Sequence, residues 1–360
     1  MAVQPIVFAD YETKETSYEK WVKTEGIDVV KGYMVEDLNK VPLKPWKRKG
    51  GLGVILNLEG TGQTDDAYIC EIPPGGSLKP QKHLFEELIY ILRGRGTSAI
   101  WNEGGPQRIV EWKEGSLFAP PLNTWHQHFN GQGDKPVRYL ALTTAPTVIN
   151  LFHNMEFIFE NPFSFKDRYN AEEDYFGKER FFRLARTNAP MYESNFIPDV
   201  RNFQLKEWEL RGYNAFNMKF ELAHNLINAH IAEWPVGTYM QAHAHRGGAH
   251  VVILSGQGYT LMWKAGDKPQ RFPWHEGSMV VPPEMWFHQH VNTGDKPVRY
   301  LALRWGSRRY RMGDYNVELS SMSTKLGGRQ IEFKDEEPWI RQTYEEELAK
   351  AGLQINMPVF

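Results

Sequence analysis

Short apolar runs recur along the chain and stop at turn-forming residues. Residues 88–92 read LIYIL and run into RGRG, and residues 250–254 read HVVIL and run into SGQG. Two copies of RYLAL, at 138–142 and 299–303, each follow a GDKP turn. Runs of this length, punctuated by Gly, Pro and Asp, predict the strands of a β-sandwich or barrel. The pattern also repeats. Pairing Gly94 with Gly256 sets an offset of 162, and the same offset pairs Trp46 with Trp208, Gly75 with Gly237 and His83 with His245. It carries on through Trp112 with Trp274, Gly115 with Gly277 and His126 with His288. One register held over such a span means two copies of one unit, each of normal domain size.

The expected architecture is therefore all-β: two barrels at 46–142 and 208–310, the repeat itself running to 303, related by a pseudo-twofold axis. Residues 1–45 form an N-terminal arm. Residues 143–207 are aromatic-rich and too long for an idle loop, which predicts short helices packed on the barrels. In the tail, 311–360, the stretch DEEPWIRQTYEEELAKAGL has Pro near its start and Gly at its end, as a helix would.

Histidines mark the candidate chemistry. In the second copy Gly237 is followed by His243-Ala244-His245, and residues two apart on a strand share a face. Further on, His288 and His290 are spaced in the same way. Three imidazoles, His243, His245 and His288, converging from two strands suit a divalent metal: Fe, Mn, Ni, Cu or Zn. His290 is a candidate acid–base group, because histidine ordinarily titrates near neutrality. A structural histidine is the competing reading for His290 and for its counterpart His128. Alternation points His250 away from the barrel interior as a structural residue, and His275 sits in an exposed turn.

These residues resemble the two motifs of the cupin superfamily, G(X)5HXH(X)3–4E(X)6G and G(X)5PXG(X)2H(X)3N. The second copy matches at Gly237, His243, His245, Gly256, Gly277, Pro283, His288 and Asn292, with Ala249 at the glutamate position and Met285 at the inner glycine. The first copy matches at His83, Glu87, Gly94, Gly115, Pro121, His126 and Asn130, with Gln81 replacing the first histidine and Asn123 the inner glycine. The resemblance implies two cupin (double-stranded β-helix) barrels, a main metal site at His243, His245 and His288, and a second, weaker one at Gln81, His83, Glu87 and His126. Two histidines and a carboxylate can still form a facial triad for iron.

A three-His site with a small residue at the glutamate position is similar to the gentisate 1,2-dioxygenase group. So are the elements Trp125-His126-Gln127-His128 and Phe287-His288-Gln289-His290. That likeness implies Fe(II), dioxygen, a small-molecule substrate and cleavage of an aromatic ring bearing hydroxyl and carboxylate groups. Two features depart from it: the fuller histidine set here is C-terminal, and Val251 stands where that group places an inward arginine. Another metal-cupin enzyme, a decarboxylase or isomerase, is the alternative, followed by a non-enzymatic ligand-binding bicupin. Bicupin oxalate decarboxylases usually keep a glutamate ligand in both barrels, and Ala249 counts against that version.

Charge and cysteine content remove other classes. With 42 Lys plus Arg against 44 Asp plus Glu, the net charge is −2, and no basic run favours nucleic acid or an anionic membrane. The single Cys70 has no disulfide partner, no stretch reaches the roughly 18 apolar residues of a membrane span, and the N-terminus does not read as a signal peptide. The expected setting is the cytoplasm, and the expected assembly is a homo-oligomer with exchanged terminal segments.

Overall fold

In the computed structural model the described residues are 15–360 apart from 62, 186, 209, 211, 308 and 313–316, so the first 14 residues of the arm lie outside them. Each repeat folds as a large sheet facing a small one. The large sheet of the first barrel runs, in spatial order, Val29–Val30, Gly51–Leu56, Asp66–Ile72, Val137–Thr143, Glu87–Arg93, Leu117–Phe118 and Phe196–Ile197. Its small sheet is Trp125–Asn130, Arg95–Trp101 and Arg108–Lys113. In the second barrel the large sheet runs Glu179–Arg183, Pro190–Ser194, Phe216–Glu221, Ile227–Trp234, Val298–Trp305, Ala249–Ser255, Met279–Val280 and Met34–Val35. Gln270–His275, Gln257–Trp263 and Phe287–Asn292 form its small sheet.

The unbroken apolar runs now have a cause: both faces of the central strands are buried. Leu88, Tyr90, Leu92, Leu140 and Leu142 face the second barrel and meet Ile227, Ile231, Val252, Leu254, Leu301 and Leu303 there, so the two large sheets pack back to back. The alternate residues line the interiors: Tyr68, Cys70, Ile89, Ile91, Tyr139 and Ala141 in the first barrel, and Ala232, Trp234, Ala249, Val251, Tyr300 and Ala302 in the second. Period-two alternation thus sorts each strand between a shared core and a private one.

The repeat extends further than the sequence alone indicates. Met34–Val35 pairs with Met279–Val280 of the second barrel, and Phe196–Ile197 pairs with Leu117–Phe118 of the first. Each half lends a strand to the other. Arg138 fixes one lent segment by donating to the carbonyls of Leu38, Asn39 and Val41, and Arg299 fixes the other through those of Val200, Arg201 and Phe203. Glu71 and Glu233 orient the two guanidinium groups at 3.0 and 2.7 Å. Gly115 and Gly277 turn beneath these segments with φ of 89°, where a Cβ would press on Asp199 and Asp37.

Helices cover the outside. Ala145–Phe152 and Met155–Phe159 open the connecting segment, and Pro338–Lys350, with proline in its first turn, sets Ile340, Tyr344 and Leu348 against Tyr239, Tyr259, Leu261 and Val291 of the second barrel. The arm adds Ser17–Glu25, started by a Thr16/Glu19 capping box and stopped by Gly26 in the left-handed conformation. Among the described residues no helix is long and apolar enough to cross a membrane.

Candidate metal centres

In the second barrel His243 and His245 lie on the strand-like segment before Ala249–Ser255, and His288 lies on Phe287–Asn292. A backbone bridge joins His243 to His288, with N···O distances of 3.1 and 2.9 Å. All three side chains are buried, and their ligand nitrogens fall within 4.8 Å of one another. Their Nδ1 groups donate to main-chain carbonyls: His243 to Gln241 (3.1 Å), His245 to Arg246 (3.2 Å) and His288 to Trp286 (3.2 Å). A proton committed to Nδ1 leaves the lone pair on Nε2, the form a metal needs. The tail closes the neighbouring edge, where Ala244 donates to the Arg329 carbonyl and Ile331 to that of Ala242.

The first barrel assembles its set to the same tolerance. His83, Glu87 and His126 are buried, with their ligand atoms within 4.8 Å. His83 Nδ1 donates to the Phe85 carbonyl at 2.8 Å and His126 Nδ1 to that of Thr124 at 3.2 Å. The two Nε2 atoms stand 3.5 and 3.6 Å from the Glu87 carboxylate. His83 Nε2, His126 Nε2 and Glu87 Oε2 are buried with no hydrogen-bond partner. Buried polar atoms are rarely left so, and three that converge on one point fit a dication. Gln81 is turned elsewhere: its Oε1 accepts from Lys49 Nζ at 3.1 Å.

Lys49 went unnoticed in the sequence. Its buried ammonium donates to Tyr68 Oη at 2.7 Å and lies 3.5 Å from Glu87, while Tyr68 donates to Glu87 Oε1 at 2.8 Å. Burial alone would raise the Glu87 carboxyl; the Lys49 ammonium beside it acts the other way, and the group is held well below its ordinary value. Burial also pushes the His126 imidazole well below its own, which keeps it neutral. The Cys70 thiol is driven up to about 11 by burial, so it is inert.

The histidine two residues beyond each ligand takes the opposite tautomer. Trp274 Nε1 donates to Thr260 Oγ1 (2.9 Å), which lies 2.8 Å from His290 Nδ1; Trp112, Ser98 and His128 repeat the chain at 2.8 and 2.6 Å. Each hydroxyl accepts a hydrogen bond from the indole N–H and donates its own to Nδ1, so Nε2 of His128 and of His290 carries the hydrogen. Burial lowers His128 to about 4 and His290 well below its ordinary value. Both are neutral hydrogen-bond donors at physiological pH, and the near-neutral titration anticipated for His290 gives way to burial.

His250 does point out of its barrel, but into the shared core. It is fully buried, with Nδ1 3.5 Å from Asp65 Oδ2. His275 is exposed, and its Nδ1 donates to the Glu276 carbonyl at 2.7 Å.

Residues 68–143 match the family profile described as a cupin domain. This is a two-barrel cupin fold. Oxalate decarboxylase from Lactobacillus farciminis, in a formate complex, superposes with a TM-score of 0.51 at 14% identity, over 82% of this chain and 92% of that one. Bacillus subtilis oxalate decarboxylase, in a structure concerned with its Mn(II) centres, gives 0.50 at 16% identity over 83% of each chain. At such identities the likeness is one of fold. Among curated relatives, glucose-6-phosphate isomerase of Pyrococcus horikoshii is 39% identical over 62 residues, 17% of this chain and 33% of that protein. Auxin-binding protein 4 of Zea mays is 23% identical over 123 residues, 32% of this chain and 59% of that protein. The matches thus span a third and about three-fifths of these relatives.

Proposed function

We propose that the chain is a metal-dependent enzyme acting on a small, chelating carboxylate by decarboxylase- or isomerase-type chemistry. His243, His245 and His288 hold one dication, and His83, Glu87 and His126 hold another. The observation that carries this reading is the set of five imidazoles whose Nδ1 protons are all committed to main-chain carbonyls, which turns five Nε2 lone pairs inward in two buried clusters. The likeness to oxalate decarboxylases, one of them described with Mn(II) centres, and to an isomerase supports the reaction class.

A bound dication would supply a Lewis acid that holds and polarises a carboxylate. The chain's residues do the rest. Backbone carbonyls fix the ligand tautomers, and the tryptophan–hydroxyl chains keep His128 and His290 as neutral donors toward a developing oxyanion. Burial of every ligand excludes bulk water and limits substrate size. A second reading, an Fe(II) dioxygenase of hydroxylated aromatic acids, is favoured by one feature: among the described residues the second barrel's set is three histidines without a carboxylate. The test is anaerobic loading with Mn(II), Fe(II) or Zn(II), then assay of carbon dioxide release and isomer formation against oxygen uptake. Small carboxylates and hydroxylated aromatic acids serve as substrates. Turnover of small acids without oxygen consumption is expected. Oxygen-coupled turnover of the aromatic acids with Fe(II) alone would replace this reading with the second, and apo protein that takes up none of the three metals would end both.

A further inference from the structure

The first barrel buries a cation beside its cluster. Lys49 Nζ donates to Tyr68 Oη at 2.7 Å and to Gln81 Oε1 at 3.1 Å, and both acceptors are neutral. Among the described residues its one carboxylate partner is Glu87, at 3.5 Å. Glu87 is also the one acid of the cluster that His83 and His126 complete. The same negative charge is therefore claimed twice. Without a metal, Glu87 and Lys49 cancel. Once a dication takes the carboxylate, the ammonium is left buried beside two more positive charges, and unpaired buried charge is costly. A further anion restores the balance. Two observations say where it sits. His128 shares a face of Trp125–Asn130 with His126, their rings 5.5 Å apart, and its Nε2 is buried with no hydrogen-bond partner. That nitrogen carries the hydrogen, so an unused donor stands beside the cluster. A pocket beneath the arm helix reaches Lys49, Gln81 and Glu87, with Tyr18, Trp21 and Phe159 on its outer side. Its space is about 20 Å³, room for a group of few heavy atoms. Asp66 lines it too, but burial pushes its carboxyl up to about 7, and its oxygens accept from Tyr18 and Asn57.

We propose that Lys49 is the anion-binding residue of the first barrel, and that the centre takes a small acid with one oxygen on the dication and a carboxylate oxygen at the Lys49 ammonium. The ammonium has three N–H donors, so it turns one from Glu87 to the ligand and keeps the two on Tyr68 and Gln81. Tyr68, which donates to Glu87 Oε1 at 2.8 Å, ties the cation and the metal ligand into one frame. The His128 N–H supplies a second donor to the same ligand. With the dication bound and Glu87 spent on it, the site holds a surplus of two positive charges. A dianion cancels both and a monoanion only one, so small dicarboxylates are the preferred class. The proposal rests on the reading above for a dication at His83, Glu87 and His126.

The test uses the full chain with a His288→Ala background, so that only the first barrel is loaded with Mn(II). Oxalate, glycolate and the neutral glycolamide are titrated by calorimetry, with metal content and Mn(II) affinity measured in parallel. Oxalate should bind more tightly than glycolate, and glycolamide about 10-fold more weakly than glycolate, since it offers Lys49 no charge. Lys49→Met should weaken oxalate binding about 30-fold, as loss of a desolvated charge partner does. The same variant should hold Mn(II) at least as tightly as before, because a positive charge has left the site. A lysine with a merely structural role would not move the two affinities in opposite directions. If Lys49→Met does not fold, Lys49→Gln, which keeps a donor for Tyr68, reads the same split. Unchanged oxalate affinity in the folded variant overturns the proposal, as does weaker Mn(II) binding there or glycolamide binding as tightly as glycolate. Lys49-dependent binding without turnover of any acid would refute the enzymatic reading and leave the anion site standing.

Discussion

In the first barrel Glu87 is hemmed in by charge: Lys49 at 3.5 Å, Tyr68 donating at 2.8 Å and two imidazoles beyond. The second barrel has Ala249 in that place, a third histidine where the first has Gln81, and His230 where it has Tyr68. The first carries its own counter-charges and is close to neutral before any metal arrives. Among the described residues, the second barrel's cluster is three histidines without a carboxylate. One fold thus holds a cluster with a carboxylate and its own lysine beside a cluster of histidines. Copying a barrel preserves where side chains point, while single substitutions on a ladder reset what they attract.

The largest expected effect tests whether the two centres are separate. His288→Ala should empty the second barrel and His126→Ala the first, each lowering affinity there by more than about 100-fold, since changes even to groups outside the ligand shell cost about 10–100-fold. Elemental analysis should find half the wild-type metal in either variant. Full occupancy in His288→Ala would break the assignment, and loss of all metal in one variant would show the centres to be coupled.

Next in size is the charge balance of the first barrel. Glu87→Ala leaves Lys49 buried without its carboxylate, which should destabilise the metal-free protein by about 3 kcal/mol in urea unfolding. Lys49→Met leaves the converse, a buried carboxylate, and added Mn(II) should raise its melting temperature more than it raises that of wild type. Equal Mn(II) shifts in the two proteins would mean that Lys49 does not offset Glu87.

The smallest effect concerns Asp66, whose counterpart is Asn228. Burial raises the Asp66 carboxyl to about 7, against the hydrogen bonds from Tyr18 and Asn57 and the nearby His250. A folded-state value above the unfolded one favours the protonated form. This group's contribution to stability is therefore full below about pH 4 and is lost as pH rises through 7. Asp66→Asn should flatten the decline between those limits and gain on the order of 1–3 kcal/mol at pH 8. An unchanged pH slope would remove Asp66 from the account.

How much of this was legible in the sequence depends on distance along the chain. The offset of 162 marked out two copies of one unit, and the two-residue spacing of His243 and His245 set both rings on one face, where the fold brings them together with His288, because alternation is local. Lys49 was invisible for the opposite reason. It is significant only because the fold brings its ammonium 3.5 Å from Glu87, and a contact across the barrel is not written in either segment. His250 shows the limit of alternation itself. Outward was the correct face, yet outward from one barrel meant inward to the pair. Strands of two residues, such as Met34–Val35 and Phe196–Ile197, are too short to carry any period.

The exchanged strands also impose an order on synthesis. Chains emerge from the ribosome N-terminus first, and domains ordinarily fold as they appear. Here the first barrel cannot finish its large sheet until residues 196–197 have been made, although its own last long strand ends at Thr143. Its segment Met34–Val35 has no partner until Met279–Val280 emerges, close to 250 residues later. The nascent chain must therefore hold an open sheet edge through most of its elongation, exposed to pairing with a neighbouring copy on the same message. Pauses or truncations between residues 143 and 279 are where this protein would be captured by its own kind.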